Sequence, residues 1–175
     1  LYHTLDIEPG KRLFVEGAST GTGYDCLRSA VSSGLSVAGM VSSAERAERV
    51  EAVGGAAVDR KDPKWAAAFT PVPDDPSQWA AWEAAGVDFV EAANAAAGGD
   101  LNYAVSHAGE TAFPRTFQTL GEGGVLTFYG ASSGYRFTFM GKKGESSPAE
   151  MFTRAGLRAG QSLLIVYGPG ADDGI

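Results

Sequence analysis

Residues 17–23, Gly17-Ala18-Ser19-Thr20-Gly21-Thr22-Gly23, follow the short β-prone run Arg12-Leu13-Phe14-Val15. They precede a stretch with Tyr24, Leu27, Ala30 and Val31 at helical spacing. A glycine-rich turn between a strand and a helix lets the backbone approach an anion, and the helix N-terminus adds unpaired N–H groups and the positive end of its dipole. The chemistry such a turn supports is phosphate binding, and Ser19, Thr20, Gly21, Thr22 and Gly23 are the residues that would do it. A glycine-rich turn without a ligand is the competing explanation. The glycines form G-x-x-x-G-x-G (Gly17, Gly21, Gly23). At the three positions of the stricter G-x-G-x-x-G fingerprint, taken as 18, 20 and 23, stand Ala18, Thr20 and Gly23.

Spacing separates the enzyme classes that use such turns. Methyltransferases place an acidic residue at the end of the first strand with glycines two, four and six positions on. Counting from Glu16 meets Ala18, Thr20 and Thr22 instead. Short-chain dehydrogenases share G-x-x-x-G-x-G but also need a Tyr and a Lys four residues apart. None of Tyr2, Tyr24, Tyr103, Tyr129, Tyr135 and Tyr167 has a Lys at that offset.

The elements that must position the turn alternate along the chain. Lys11–Glu16 reads as a strand, 21–33 as a helix ended by Gly34, Ser36–Val41 as a second strand, and 44–53 as a charged helix capped by Ser42 or Ser43. Residues 56–58 form a third, short strand, 62–69 a helical turn, 71–76 a proline-rich loop, and 77–97 an alanine-rich helix broken near Gly86. Leu101–Ser106 is a fourth strand, 110–120 a helix, 124–129 a fifth strand, 148–158 a helix with Pro at its start, and 163–166 a sixth strand. This alternation predicts an α/β Rossmann-type doubly wound parallel sheet of about six strands with helices on both faces. Ligands in such sheets sit at the carboxyl ends of the strands, which directs attention to residues 17–23, 42–46, 59–60, 107–109, 130–135 and 167–170.

The residues after the second strand bear on which nucleotide fits. An acidic residue there would bind a ribose 2′-hydroxyl and repel a 2′-phosphate. The chain instead has Ser42, Ser43 and Arg46, two hydroxyls and a guanidinium suited to a phosphate. That pattern predicts NADPH over NADH. The alternative is that Arg46 and Arg49 form a solvated helix face and the serines are only caps.

Composition excludes other classes. With 44% hydrophobic and 20% charged residues the 175-residue chain has a globular balance and room for one sizeable core. A formal net charge of −7 argues against wrapping nucleic acid or lying on an anionic membrane. The single Cys26 excludes an internal disulfide and a cysteine-based zinc site and fits a reducing cytosol, and no metal ligands are assigned. No apolar run approaches the roughly 18 residues that span a bilayer, which leads to the expectation of a cytoplasmic protein. Both ends look cut, and residues 1–175 are read as one NADP(H)-binding Rossmann domain, a piece of something larger.

Leu5-Asp6-Ile7-Glu8-Pro9-Gly10-Lys11-Arg12-Leu13-Phe14-Val15 resembles the segment leading into the cofactor domain of the medium-chain dehydrogenase/reductase superfamily. Gly17-Ala18-Ser19 with Gly21 and Gly23, Val41-Ser42-Ser43-Ala44, Gly130-Ala131-Ser132-Ser133-Gly134-Tyr135 and the closing Ile165-Val166 carry the likeness further. They resemble the crotonyl-CoA reductase/carboxylase and acrylyl-CoA reductase branch, above all the reductase portion of the propionyl-CoA synthases, which are fused multidomain enzymes. The resemblance covers most of the chain apart from about 62–100.

What the resemblance implies is an NADPH-binding domain of an enoyl-thioester reductase. Hydride would pass from NADPH to the carbon–carbon double bond of acrylyl-CoA and give propionyl-CoA, with a coenzyme A thioester as the parent enzyme's substrate. Arg60 would lie near the adenine end, and His107 along the cofactor, although a histidine satisfied by backbone carbonyls explains that position equally well. Gly130, Ala131, Ser132 and Ser133 would form the loop beneath the nicotinamide ribose. Tyr135 would face the substrate or simply pack, and Lys142 and Lys143 would meet coenzyme A phosphates or solvent. Carboxylating relatives carry a histidine shortly after the last strand, where this chain has Pro169 in Tyr167-Gly168-Pro169-Gly170, so the resemblance implies reduction without carboxylation. The last strand would pair two subunits into a homodimer, or its edge would be covered by a further helix. A quinone or enone oxidoreductase of the same superfamily, and a non-catalytic nucleotide-binding module, are the alternatives.

Overall fold

The computed structural model describes residues 7–73, 75–109, 112–129, 132–133 and 162–165. Six strands, β1 (Arg12–Val15), β2 (Ser36–Val41), β3 (Ala56–Asp59), β4 (Leu101–Ser106), β5 (Leu120–Phe128) and β6 (Ser162–Ile165), form one sheet in the order β3-β2-β1-β4-β5-β6. Every pair is parallel. Strand order therefore reverses beside β1, and the crevice for a ligand opens there. The doubly wound parallel sheet predicted from strand–helix alternation is the architecture found.

Helices α1 (Gly21–Ser32), α2 (Ala44–Glu51), α3 (Trp79–Ala84), α4 (Val87–Ala97) and α5 (Phe113–Gln118) cover the sheet. Alternation along β1 sends Leu13 and Val15 to one face, packed with Leu27 and Ala30 of α1 and Val50 of α2. Phe14 goes to the other face, among Phe89, Ala93 and Ala97 of α4 and Phe113 and Phe117 of α5. Strands buried on both sides read as continuous apolar runs, which is why β2 and β4 have the predicted limits.

The weakly patterned segment between β3 and α4 packs tightly on the second face. Asp62 caps a 3₁₀ segment (Pro63–Phe69) by accepting from Lys64 N–H at 3.1 Å. Phe14, Trp65 and Phe69 each meet the Phe89 ring edge to face, with centroids 6.2, 5.7 and 4.8 Å away. The fully buried Arg115 of α5 holds this segment down. Its guanidinium donates to the carbonyls of Ala68 (2.7 Å), Trp82 (3.0 Å) and Glu83 (3.5 Å), bonds Gln118, and lies 3.8 Å over the Trp82 ring. Trp82 and Glu83 are in the last turn of α3, so Arg115 satisfies carbonyls that a helix end leaves open. Burial, opposed by the Glu83 charge, pulls its pKa down to about 10. The predicted break near Gly86 is found between α3 and α4, and the guanidinium demands glycine there: a Cβ at Gly86 would stand 1.7 Å from Arg115 Nη1.

Two predicted boundaries are corrected. The helix expected over 110–120 is observed as Phe113–Gln118; Glu110 and Thr111 lie outside the described residues. The strand expected over 124–129 starts earlier, at Leu120. The fully buried Leu120 pairs with Leu101, after which an irregularity delays the next pairing to Tyr103 with Val125. Gly123 in that irregularity has φ +72, the left-handed region open to glycine. The helix expected over 148–158 lies outside the described residues. No described helix is long and apolar enough to cross a membrane.

Candidate functional site

The carboxyl ends of β1, β2 and β4 enclose an open cleft lined by Gly17, Ser19, Thr20, Met40, Val41, Ser42, Arg46, Arg60, His107, Ala108 and Ser132. Of the residues singled out in the sequence, Ser19, Thr20, Ser42, Arg46, Arg60, His107 and Ser132 thus meet in one place. Gly21 and Thr22 open α1, exposed and just beyond the lining. Ser43 and Ser133 lie behind it as supports, while Gly130, Ala131, Tyr135, Lys142, Lys143 and Pro169 lie outside the described residues.

The turn reaches the cleft because two glycines permit it. A Cβ on Gly23 would lie 2.5 Å from the Gly17 carbonyl oxygen and 2.9 Å from that of Glu16, so only glycine lets α1 start this close to β1. Gly17, at φ +58, occupies the left-handed region, and its missing side chain is replaced by the His107 ring, whose Cε1 would be 2.0 Å from a Cβ there. Thr20 is the extended N-cap of α1 but makes no side-chain capping bond. Thr20 thus leaves the leading N–H groups of this 12-residue helix open on its side, and an open helix end is where an anion is received.

At the β2 exit, Ser43 caps α2 by accepting from Arg46 N–H at 3.4 Å. The Arg46 guanidinium folds back and donates to Ser42 Oγ at 2.8 Å. Arg60, whose N–H bonds the Val41 carbonyl at 3.0 Å, brings a second guanidinium from the β3 exit. Neither makes an ion pair among the described residues. Arg49, by contrast, lies 4.3 Å over the Tyr24 ring, away from the cleft lining. Two exposed guanidinium groups without carboxylate partners, beside a serine hydroxyl, can hold a phosphate by charge-assisted hydrogen bonds. With the uncapped helix end, the donor set suits a dinucleotide bearing a 2′-phosphate.

The opposite wall rests on a residue that spacing used only as a counting origin. Glu16, the fully buried end of the first strand run, accepts from the N–H groups of His107 (3.1 Å) and Ala108 (2.9 Å) through Oε2, and from the Thr116 hydroxyl through Oε1. His107 stacks on Tyr129 with centroids 5.6 Å apart and planes 16° apart. His107 Nδ1 and the Tyr129 hydroxyl have no hydrogen-bond partner among the described residues. Burial, reinforced by Cys26 and Glu16, pushes the Tyr129 phenol far above its ordinary pKa, so it stays neutral. Ser132 and Ser133 donate their N–H groups to the carbonyls of His107 (3.0 Å) and Ala108 (2.9 Å). Their hydroxyls are turned to those same carbonyls. Among the described residues no group of three or more His, Cys, Asp or Glu could hold a metal.

Glu16 and Thr116 are what sequence reasoning missed here. The available signal was an acidic residue closing an otherwise apolar strand, a position that burial forbids unless something bonds the carboxylate.

No family model matches the chain, and no curated protein matches it by sequence. Solved structures do match in fold. A crotonyl-CoA carboxylase/reductase, AntE, in complex with NADP superposes with TM-score 0.72 at 18% identity, over 91% of this chain and 37% of that one. The 2-octenoyl-CoA carboxylase reductase CinF, in complex with NADP and 2-octenoyl-CoA, gives 0.69 at 20% identity over 92% and 32%. The Escherichia coli quinone oxidoreductase complexed with NADPH gives 0.65 at 16% identity over 95% and 42%. The chain thus spans between 32% and 42% of these relatives' length. What they share with it is the Rossmann-type arrangement of the dinucleotide domain.

Proposed function

We propose that this chain is the NADPH-binding domain of an enoyl-thioester reductase, acting on acrylyl-CoA to give propionyl-CoA as the reductase part of a propionyl-CoA synthase. The observation that carries the cofactor assignment is the Ser42–Arg46 pair with Arg60, neither guanidinium in an ion pair among the described residues, at the same cleft as the start of α1, which Thr20 leaves uncapped. NADPH would place its 2′-phosphate on Ser42, Arg46 and Arg60 and its pyrophosphate at Ser19, Thr20 and the α1 N-terminus. When bound, NADPH would supply a hydride from nicotinamide C4 for the β-carbon of the double bond, with a proton completing the α-carbon. This chain's contribution is to fix the cofactor, which supplies much of what a protein can give a hydride step.

The substrate assignment rests on the resemblance in sequence order and on fold neighbours that include NADP complexes of enoyl-CoA carboxylase/reductases. Pro169, which has no acid, base or carbon dioxide-binding group, favours reduction without carboxylation. The β6 position at the end of the sheet suits pairing with a second subunit. The fold likeness to a quinone oxidoreductase supports a second reading, reduction of free enones.

The test is NADPH oxidation by the enzyme that carries this chain, with acrylyl-CoA and a free enone side by side. Turnover of the thioester is expected, and turnover of the enone alone would replace the first reading with the second. The isolated chain is expected to bind nucleotide and reduce neither.

A further inference from the structure

Glu16 lies beneath the cleft, fully buried, with no cation in ion-pair range among the described residues. A carboxylate is a poor choice for stability in such a place, because its desolvation is expensive and an apolar residue would continue the β1 run at lower cost. What it holds gives it a role. Oε2 accepts two consecutive peptide N–H groups at the exit of β4, His107 and Ala108, and Oε1 takes the Thr116 hydroxyl of α5. The carbonyls of those same two residues accept the N–H groups of Ser132 and Ser133 beyond β5. The β4 exit is therefore held from both sides, by Glu16 just past β1 and by the serine pair beyond β5.

The consequence reaches the cleft through His107. With its N–H fixed on Glu16, the ring lies across Gly17, in the space a Cβ would fill, and stacks on Tyr129. A dinucleotide with its 2′-phosphate at the β2 exit and its pyrophosphate at the start of α1 must continue past this wall toward β4. The 2′-phosphate residues Ser42, Arg46 and Arg60 belong to the other end of the cleft and have no bond to Glu16.

We propose that Glu16 is a positioning residue for the nicotinamide half of the cofactor. It sets the His107–Ala108 wall without touching the ligand, and the proposal rests on the reading of the cleft as an NADPH site. Glu16→Gln retains an oxygen for both peptide N–H groups and can turn its amide to the Thr116 oxygen. Glu16→Leu has a similar size and leaves both N–H groups without an acceptor.

The test is titration of the chain with NADPH and with adenosine 2′,5′-bisphosphate, the adenosine half of the cofactor. Glu16→Leu is expected to weaken NADPH about tenfold while the bisphosphate changes by less than about twofold, and Glu16→Gln is expected to stay within about threefold for both. If Glu16→Leu does not fold, Thr116→Val replaces it, with an expected loss of about threefold on NADPH alone. Equal weakening of both ligands, or no weakening of NADPH by the folded variant, overturns the proposal. An unsubstituted chain that binds neither ligand overturns the cofactor reading instead.

Discussion

Gly17→Ala perturbs the cleft at the point where the turn and the β4 wall meet. The backbone at Gly17 has φ +58, where an L-residue costs about 1–2 kcal/mol. The new methyl would also arrive 2.0 Å from His107 Cε1 and 2.7 Å from Nε2. The ring must then leave its stack on Tyr129, a contact worth about 0.5–1.5 kcal/mol. The sum is about 1.5–3.5 kcal/mol of stability. Gly10→Ala is the matched control, because Gly10 has φ +80 and nothing within 4 Å of an added Cβ. It should therefore cost only the backbone part, about 1–2 kcal/mol. Urea unfolding of both variants measures the difference, and NADPH titration should show an affinity loss for Gly17→Ala alone. Equal stabilities together with equal affinities would refute the placement of His107 across the turn.

Other substitutions probe separate parts of the account. Arg115→Met should destabilise by about 2–6 kcal/mol, because it strands the carbonyls of Ala68 and Trp82 at about 1–3 kcal/mol each; unfolding by denaturant reads this directly, and a loss below about 1 kcal/mol would contradict these bonds. Gly86→Ala should be costly in the unsubstituted chain and cheaper once Arg115 is Met, with a coupling of about 1–3 kcal/mol in a double-mutant cycle. Arg46→Ala should weaken NADPH by about tenfold or more while NADH changes by less than about twofold, as titration of each cofactor would show.

Local patterning made most of the fold legible. Ser36–Val41 and Leu101–Ser106 are apolar runs between turn residues, and such runs announce strands buried on both faces. The α5–β5 junction misled for a physical reason: Leu120 suits a helix as well as a strand, and the glycines at 121, 123 and 124 hide a strand that begins before them. Ser42, Arg46 and Arg60 could be singled out because a doubly wound sheet places ligands just past its strands. Glu16 and Arg115 could not, since their meaning lies in distant partners. His107 is 91 residues from Glu16 and Thr116 is 100 residues away, while Ala68 is 47 residues from Arg115. A buried charge looks like a surface charge until the chain that satisfies it has been brought alongside.

The central claim is that the cleft selects a dinucleotide carrying a 2′-phosphate, and calorimetric titration of the chain with NADPH and NADH tests it most directly. Two guanidinium groups and a serine hydroxyl at the β2 and β3 exits predict NADPH tighter by about tenfold to a hundredfold, with the gap narrowing as salt rises. NADH bound as tightly as NADPH, or more tightly, would contradict it.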